Sequence, residues 1–565
     1  MKKISLLLLL LSFSATLFAV YEKAPKKKLL CFGWGQPRLI HYYKATTAEE
    51  FEKHLPYDGF SLSPYVYVYR NNKKLVYTSN QTGPKNEILL TKDDFKEWVE
   101  VFSKFKFKKL TDNFFGVTTA QFSDDWFDDK AWNKVLNNHK ILAYLSKACG
   151  FKGLIFDAEP YNTTCSPFAY RNFSKHSFKE TEAKVRQRGR EYVKALTSEY
   201  PDITIFCFVL IDFYFKNSNY PQNAHVSRMA LYPAFWNGML DALPKGAKIV
   251  DGNEHPGYNS ALEHEFDKMN SDFERFRHNT IAPENREKYN QFVSRAYAVY
   301  FDSFVAKNSQ YLNWQKSQYP IRLLYNTLKR GLEYCDEYTW VWAERGSYYP
   351  NKIFKSKDPN WNIKLPNSLD AVLAAKDPFG SAEKFASSEN LLENGNFSSG
   401  KDFAVNNGPG TQGFGVPGWS SWQDGRHGKG IIKKVKDGVS FKNVKSGSIV
   451  QSFQDFVPGD LLLVTAKCKV TGIGQKPSIS FHYRDENGKG LWKMGHTAEF
   501  GEPDKDNYRY AKMLVEIPSS HKFLNVTIGC SVSGSWFGMS KDVDCTFNEV
   551  KLQRVIYPWW NYKNK

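Results

Sequence analysis

The chain contains no CxxC pair, no HExxH and no Gly-x-Ser-x-Gly. These absences exclude the common zinc sites and the serine nucleophile elbow, which need their residues at fixed spacing. The eight cysteines are Cys31, Cys149, Cys165, Cys207, Cys335, Cys468, Cys530 and Cys545. Cys31 and Cys207 fall inside apolar runs, the usual setting of a buried thiol. The twelve histidines show no ligand spacing, so neither a metal nor a cofactor is expected. No glycine-rich loop follows the first apolar run, which argues against a nucleotide-binding fold. No lysine and arginine block resembles a nucleic-acid arm, so no nucleic-acid partner is expected. Past the leader, no stretch is long and apolar enough to cross a bilayer.

The leader itself is informative. Met1-Lys2-Lys3 is a short positive start, Leu6 to Leu11 opens an apolar run to about Phe18, and Ala19 ends a small-residue stretch. This is the pattern of a signal peptide over residues 1–19, with export to the medium or periplasm expected. No cysteine stands at the cleavage point, so no lipid anchor is expected.

Aromatic residues and positive charge are abundant: 15 Trp, 32 Tyr, 43 Phe and a formal net charge of +18 in 565 residues. Aromatic rings fill cores, and they also stack on the C–H faces of sugars. A basic excess favours acidic partners such as sulfated or uronic-acid polymers, or it only keeps the chain soluble. The length is too great for one core, since single cores stop growing near roughly 250–300 residues.

Two regions of different periodicity follow. Over 28–376, short apolar runs (Leu29–Trp34, Gly59–Tyr67, Leu110–Val117, Gly153–Phe156, Ile203–Leu210, Ala247–Asp251, Ala296–Phe301 and Tyr338–Trp342) alternate with amphipathic segments such as Ala131–Ala148 and Glu180–Ser198. Eight strands alternating with helices predict a (β/α)8 TIM barrel, with an open doubly wound sheet as the alternative. Residues 377–389 read as a linker. From 390 to 555, short alternating strands separated by Gly, Asn, Asp and Pro predict an all-β sandwich.

The sharpest motif is Gly153-Leu-Ile-Phe-Asp157-Ala-Glu159-Pro-Tyr161. An apolar strand, the fourth, ends in two carboxylates two residues apart. Alternation predicts that both face one side, at the end of the strand where barrel enzymes carry their sites. Paired carboxylates push one pKa up and leave a proton to donate. Glu254 and Glu344 follow the sixth and eighth apolar runs and are the candidates for a second catalytic carboxylate. His255, Tyr258 and Tyr161 would hydrogen-bond a substrate; Trp34, Trp340 and Trp342 would line its cleft. Core packing or a salt bridge at the barrel rim is the plain alternative for each.

The D-x-E ending resembles the fourth strand of family 18 chitinase-like hydrolases, although Ile155 replaces their first aspartate and Pro160-Tyr161 reverses the usual order. Glu159-Pro160 also resembles the Asn-Glu-Pro of clan A glycosidases, without the asparagine. Both resemblances imply that Glu159 is the acid. In the second region, Asn390-Leu-Leu-Glu-Asn394-Gly-Asn-Phe397 followed by Pro417-Gly-Trp419 resembles the opening of family 4/9/16 jelly-roll carbohydrate-binding modules. That resemblance implies sugar binding, with Trp419, Trp422, Tyr483, Trp492 and Trp536 as candidate platforms. The combined expectation is a secreted glycoside hydrolase. A non-catalytic glycan-binding protein and a polysaccharide lyase are the alternatives.

Overall fold

The computed structural model describes residues 26–33, 36–70, 73–78, 88–119, 122, 125–159, 167–171, 175–210, 227–305, 311, 313–349, 360–401, 404–406, 412–413, 415–423, 430–444, 446–471, 477–518, 521–532, 543–561 and 563. The chain divides into two compact units. One runs to Lys376 and includes Asn561–Lys565; the other spans Asp377–Trp560.

The first unit is a (β/α)8 barrel. Its strands are β1 (Lys28–Gly33), β2 (Gly59–Leu62), β3 (Phe114–Thr118), β4 (Gly153–Asp157), β5 (Thr204–Cys207), β6 (Lys248–Asp251), β7 (Val293–Arg295), β8 (Tyr297–Tyr300) and β9 (Tyr338–Ala343). All pair in parallel in the order β8-β9-β1-β2-β3-β4-β5-β6-β7. β7 and β8 are one strand interrupted at Ala296. Its first half pairs with β6 and its second with β9, which closes the ring of eight.

These strands are apolar on both faces because each face is covered. On β4, Ile155 points into the barrel with Phe32, Phe114, Phe206 and Trp340. Phe156 points outward and stacks on Phe235, with centroids 5.8 Å apart and planes 9° apart. Ala296 and Ala298 keep that side of the barrel interior small where Trp340 and Tyr258 lie. The N-terminal end of the barrel is closed by Lys28 and Asp112, 2.7 Å apart, and by the Tyr338 hydroxyl donating to Asp112 at 2.8 Å. That leaves the C-terminal ends of the strands for chemistry. One expected element differs. Gly59–Tyr67 is a short barrel strand followed by a separate hairpin (Tyr65–Arg70 with Lys73–Thr78).

The second unit is a jelly-roll sandwich of two six-stranded antiparallel sheets. One contains Leu461–Val470 and Tyr508–Glu516, the other Gly447–Phe453 and Phe523–Val532. The stretch expected as a linker instead carries the helix Pro378–Phe385, capped by Asp377, and Ala386 bridges to Val555. The Asn390–Phe397 phrase has a structural role. The Asn390 side chain accepts from Leu552 N–H and donates to the Val550 carbonyl. Phe397, fully buried, packs on Trp419 at 5.1 Å.

Candidate active site

β4 delivers the first carboxylate. Beyond its end, the backbone N–H of Glu159 donates to Asp157 Oδ1 at 3.0 Å. This is an Asx turn, a frequent way for aspartate to bend a chain. Asp157 therefore shapes the turn that carries Glu159, in place of the simple strand continuation that alternation predicts.

β6 delivers the second. Gly252 approaches β5 so closely that a Cβ would lie 2.6 Å from the Cys207 carbonyl oxygen. Asn253 follows in the left-handed region (φ 49°), buried, its side chain donating to the Ala296 carbonyl at 3.0 Å. Asparagine tolerates that conformation better than most residues. Glu254 N–H then donates to the Phe208 carbonyl at 3.2 Å, opening the short helix Glu254–Asn259. Strands on either side thus fix where Glu254 begins.

The two carboxylates and an imidazole meet. One ligand atom from each of Glu159, Glu254 and His255 lies within 4.8 Å of the others. His255 Nε2 is 3.6 Å from Glu159 Oε1. Glu254 is only 7% exposed, whereas the Glu159 side chain keeps 20%. Tyr258 is buried beside them. Burial, then the negative charges of Glu254 and Glu159, hold its hydroxyl well above the usual phenol range, so it stays protonated.

Glu344 belongs to a neighbouring group. Its backbone N–H donates to Asp302 Oδ2 at 2.8 Å, and the Trp342 indole donates to its Oε1 at 3.3 Å. Burial pushes the Asp302 carboxyl up. The Tyr300 hydroxyl is pushed up by burial and by Glu344. Tyr258, Tyr300 and Tyr311, with ring centroids 5.1–5.3 Å apart, join the two groups. Sequence reading missed Tyr300, Tyr311 and Asn253. Of these only Tyr300, on the strand ahead of Phe301-Asp302, carried a positional signal.

The aromatic candidates divide. Trp340 has no exposed surface, stacks on Phe208 at 4.6 Å and donates its indole N–H to the Gly252 carbonyl. It is a barrel-core residue beneath Tyr258, without a free face for a sugar. Trp342 is partly buried, edge-on to Phe208 at 5.5 Å. Trp419 is 4% exposed with its indole donating to the Glu393 carbonyl, and Tyr483 is fully buried, so both are core residues of the sandwich. Trp492 (67% exposed) and Trp422 (37%) keep accessible faces. Trp34, Tyr161 and Trp536 lie outside the described residues.

No family model and no curated protein matches the chain. Among solved structures, a GH113 β-1,4-mannanase is 11% identical over 62% of this chain and 99% of its own, with a TM-score of 0.35. A CBM4 module is 11% identical over 29% and 99%, with a TM-score of 0.21. The enzymatically active domain of tailspike protein 4 of bacteriophage CBA120 is 12% identical over 29% of this chain, with a TM-score of 0.19; the chain spans 21% of its length. Among the described residues, no helix is long and apolar enough to cross a membrane.

Proposed function

We propose that the protein is a secreted or periplasmic glycoside hydrolase acting through Glu159 and Glu254, with retention of anomeric configuration. The observation that carries this reading is the juxtaposition of two carboxylates at the C-terminal ends of β4 and β6, with oxygens within 4.8 Å. Carboxyl groups about 5–5.5 Å apart suit double displacement, whereas inversion needs room for a water between them. Glu159, the more exposed, donates its proton to the glycosidic oxygen as the C–O bond breaks. Glu254, buried and held by its short helix, attacks the anomeric carbon and forms the glycosyl ester. Glu159 then takes a proton from the water that cleaves that ester. His255 Nε2 faces the Glu159 carboxylate at 3.6 Å and offers it a hydrogen-bond partner.

Glu159→Gln is expected to lower kcat about 10²–10⁴-fold on a polysaccharide panel, with the fold intact by circular dichroism. Near-wild-type turnover in the folded variant would remove Glu159 from the mechanism. An unsaturated product absorbing in the near ultraviolet would identify a lyase instead. A second reading has one observation in its favour: two carboxylates and an imidazole are also a donor set for a divalent cation. Activity abolished by a chelator and restored by added metal would favour metal-assisted hydrolysis.

A further inference from the structure

Ala466 and Cys468 point into the sandwich core, so Thr465, Lys467 and Lys469 point away from it. On the next strand Ala511 points inward, and Tyr508, Tyr510 and Lys512 point outward. Strand pairing places Tyr508, Lys469, Thr546, Ser440 and Lys433 in one row across five adjacent strands. At a strand spacing of about 4.8 Å the row is about 19 Å long.

The lysines on this face fall into two kinds. Lys512 pairs with Glu383, and Lys551 with Glu549 at 3.0 Å. Among the described residues Lys433, Lys467 and Lys469 have no carboxylate partner within 4 Å. Lys467 and Lys469 instead hold their ammonium groups 3.7 and 4.1 Å from the centroid of the same Tyr508 ring. Cation–π contact keeps the two charges in place without neutralising them. Beside Lys467 the face dips into a cleft of about 460 Å³ lined by Thr465, Lys467, Tyr510, Lys512, Glu383 and Glu549. Tyr510 is 44% exposed, and its hydroxyl is anchored to Asp504 at 3.0 Å. On the other sheet the corresponding row is Trp422, Ser448, Ser531, Ser478 and Glu499, which carries no cation and ends in a carboxylate.

We propose that this face is a binding site for an anionic polysaccharide, separate from the carboxylate site of the barrel. Lys467, Lys469 and Lys433, spread over three strand spacings or about 14 Å, suit a polymer with repeated charges, whereas a compact anion would meet only one or two of them. The Tyr510 ring offers a flat surface for a sugar. The choice of a polysaccharide rests on the glycosidase reading; the position of the site rests on the sheet alone.

The test measures binding of the full chain to chondroitin sulfate, polygalacturonate, neutral dextran and duplex DNA between low and moderate salt. Wild type is expected to bind an acidic polysaccharide and to weaken as salt screens the contacts. Lys467→Gln/Lys469→Gln is expected to lose about fivefold in affinity and to show a flatter salt dependence. Glu159→Gln is expected to bind as wild type, so loss of hydrolysis and loss of binding are read separately. Unchanged affinity in the folded double variant, or tighter binding to DNA than to every polysaccharide, overturns the proposal. Absence of hydrolysis on any substrate, with acidic-polysaccharide binding retained, overturns the glycosidase reading alone.

Discussion

Glu159 and Glu254 carry the same functional group in different settings, and the setting divides their roles. Glu159 hangs from a turn that Asp157 closes and keeps contact with solvent. Glu254 begins a helix pinned between β5 and β8 and is nearly sealed. Tyr258 stands beside both with a hydroxyl that stays protonated at neutral pH, suited to donate to a carboxylate. Hydrogen bonds to charged groups contribute about 1.5–3 kcal/mol. Tyr258→Phe is therefore expected to lower kcat about 10–100-fold with little change in KM, and to move the acidic limb of the pH profile to higher pH, because a carboxylate that loses a donor ionises less readily. A merely structural tyrosine would shift Tm and leave the profile where it was.

At the scale of elements, the two helices Phe178–Glu199 and Tyr232–Ala242 cross at glycines. A Cβ on Gly189 would lie 2.0 Å from the Phe235 carbonyl oxygen, and one on Gly238 would lie 2.0 Å from that of Arg186. Backbone carbonyls cannot swing aside as side chains do. Gly189→Ala is expected to cost about 1–3 kcal/mol by forcing the helices apart, read as a lowered urea midpoint; an unchanged midpoint would contradict this close packing. The eight-strand alternation and most strand positions were legible because apolar runs bounded by polar segments leave a direct trace. The Asn390–Phe397 phrase was legible as a signature, yet its side chains close the sandwich and Trp419 is core. A pattern records which residues a fold needs and not whether they serve packing or a ligand. The split between β7 and β8 left no trace, since the break at Ala296 depends on which neighbour each half meets.

For the whole molecule, the boundary lies at Lys376/Asp377, ahead of a folded helix. Phe385 packs on Tyr557 at 5.3 Å, Ile556 N–H donates to the Phe385 carbonyl, and Ser387 N–H donates to that of Arg554. A fragment spanning 377–560 is expected to unfold at a higher temperature than one starting at 390, because the shorter piece exposes Tyr557 and leaves those carbonyl pairings unmade. Equal melting temperatures by calorimetry would show that the helix adds nothing to the sandwich. At the described carboxylate site acids predominate, while Lys433, Lys467 and Lys469 stand on one outer face of the sandwich.

The sequence by itself determined the alternation of strands and helices, the change to a sandwich, and the identity of Glu159 and Glu254 as strand-end carboxylates. These are local properties, written in periods of two and 3.6 residues and in the position of an acid after an apolar run. Only the tertiary structure decided that Glu159, Glu254 and His255 converge, that Glu344 belongs with Asp302, and that Trp340 and Trp419 are core. Convergence depends on β5 pairing with both β4 and β6, which brings residues about a hundred positions apart within a few ångströms. Burial depends on what covers each face, and no single segment of chain contains its own cover.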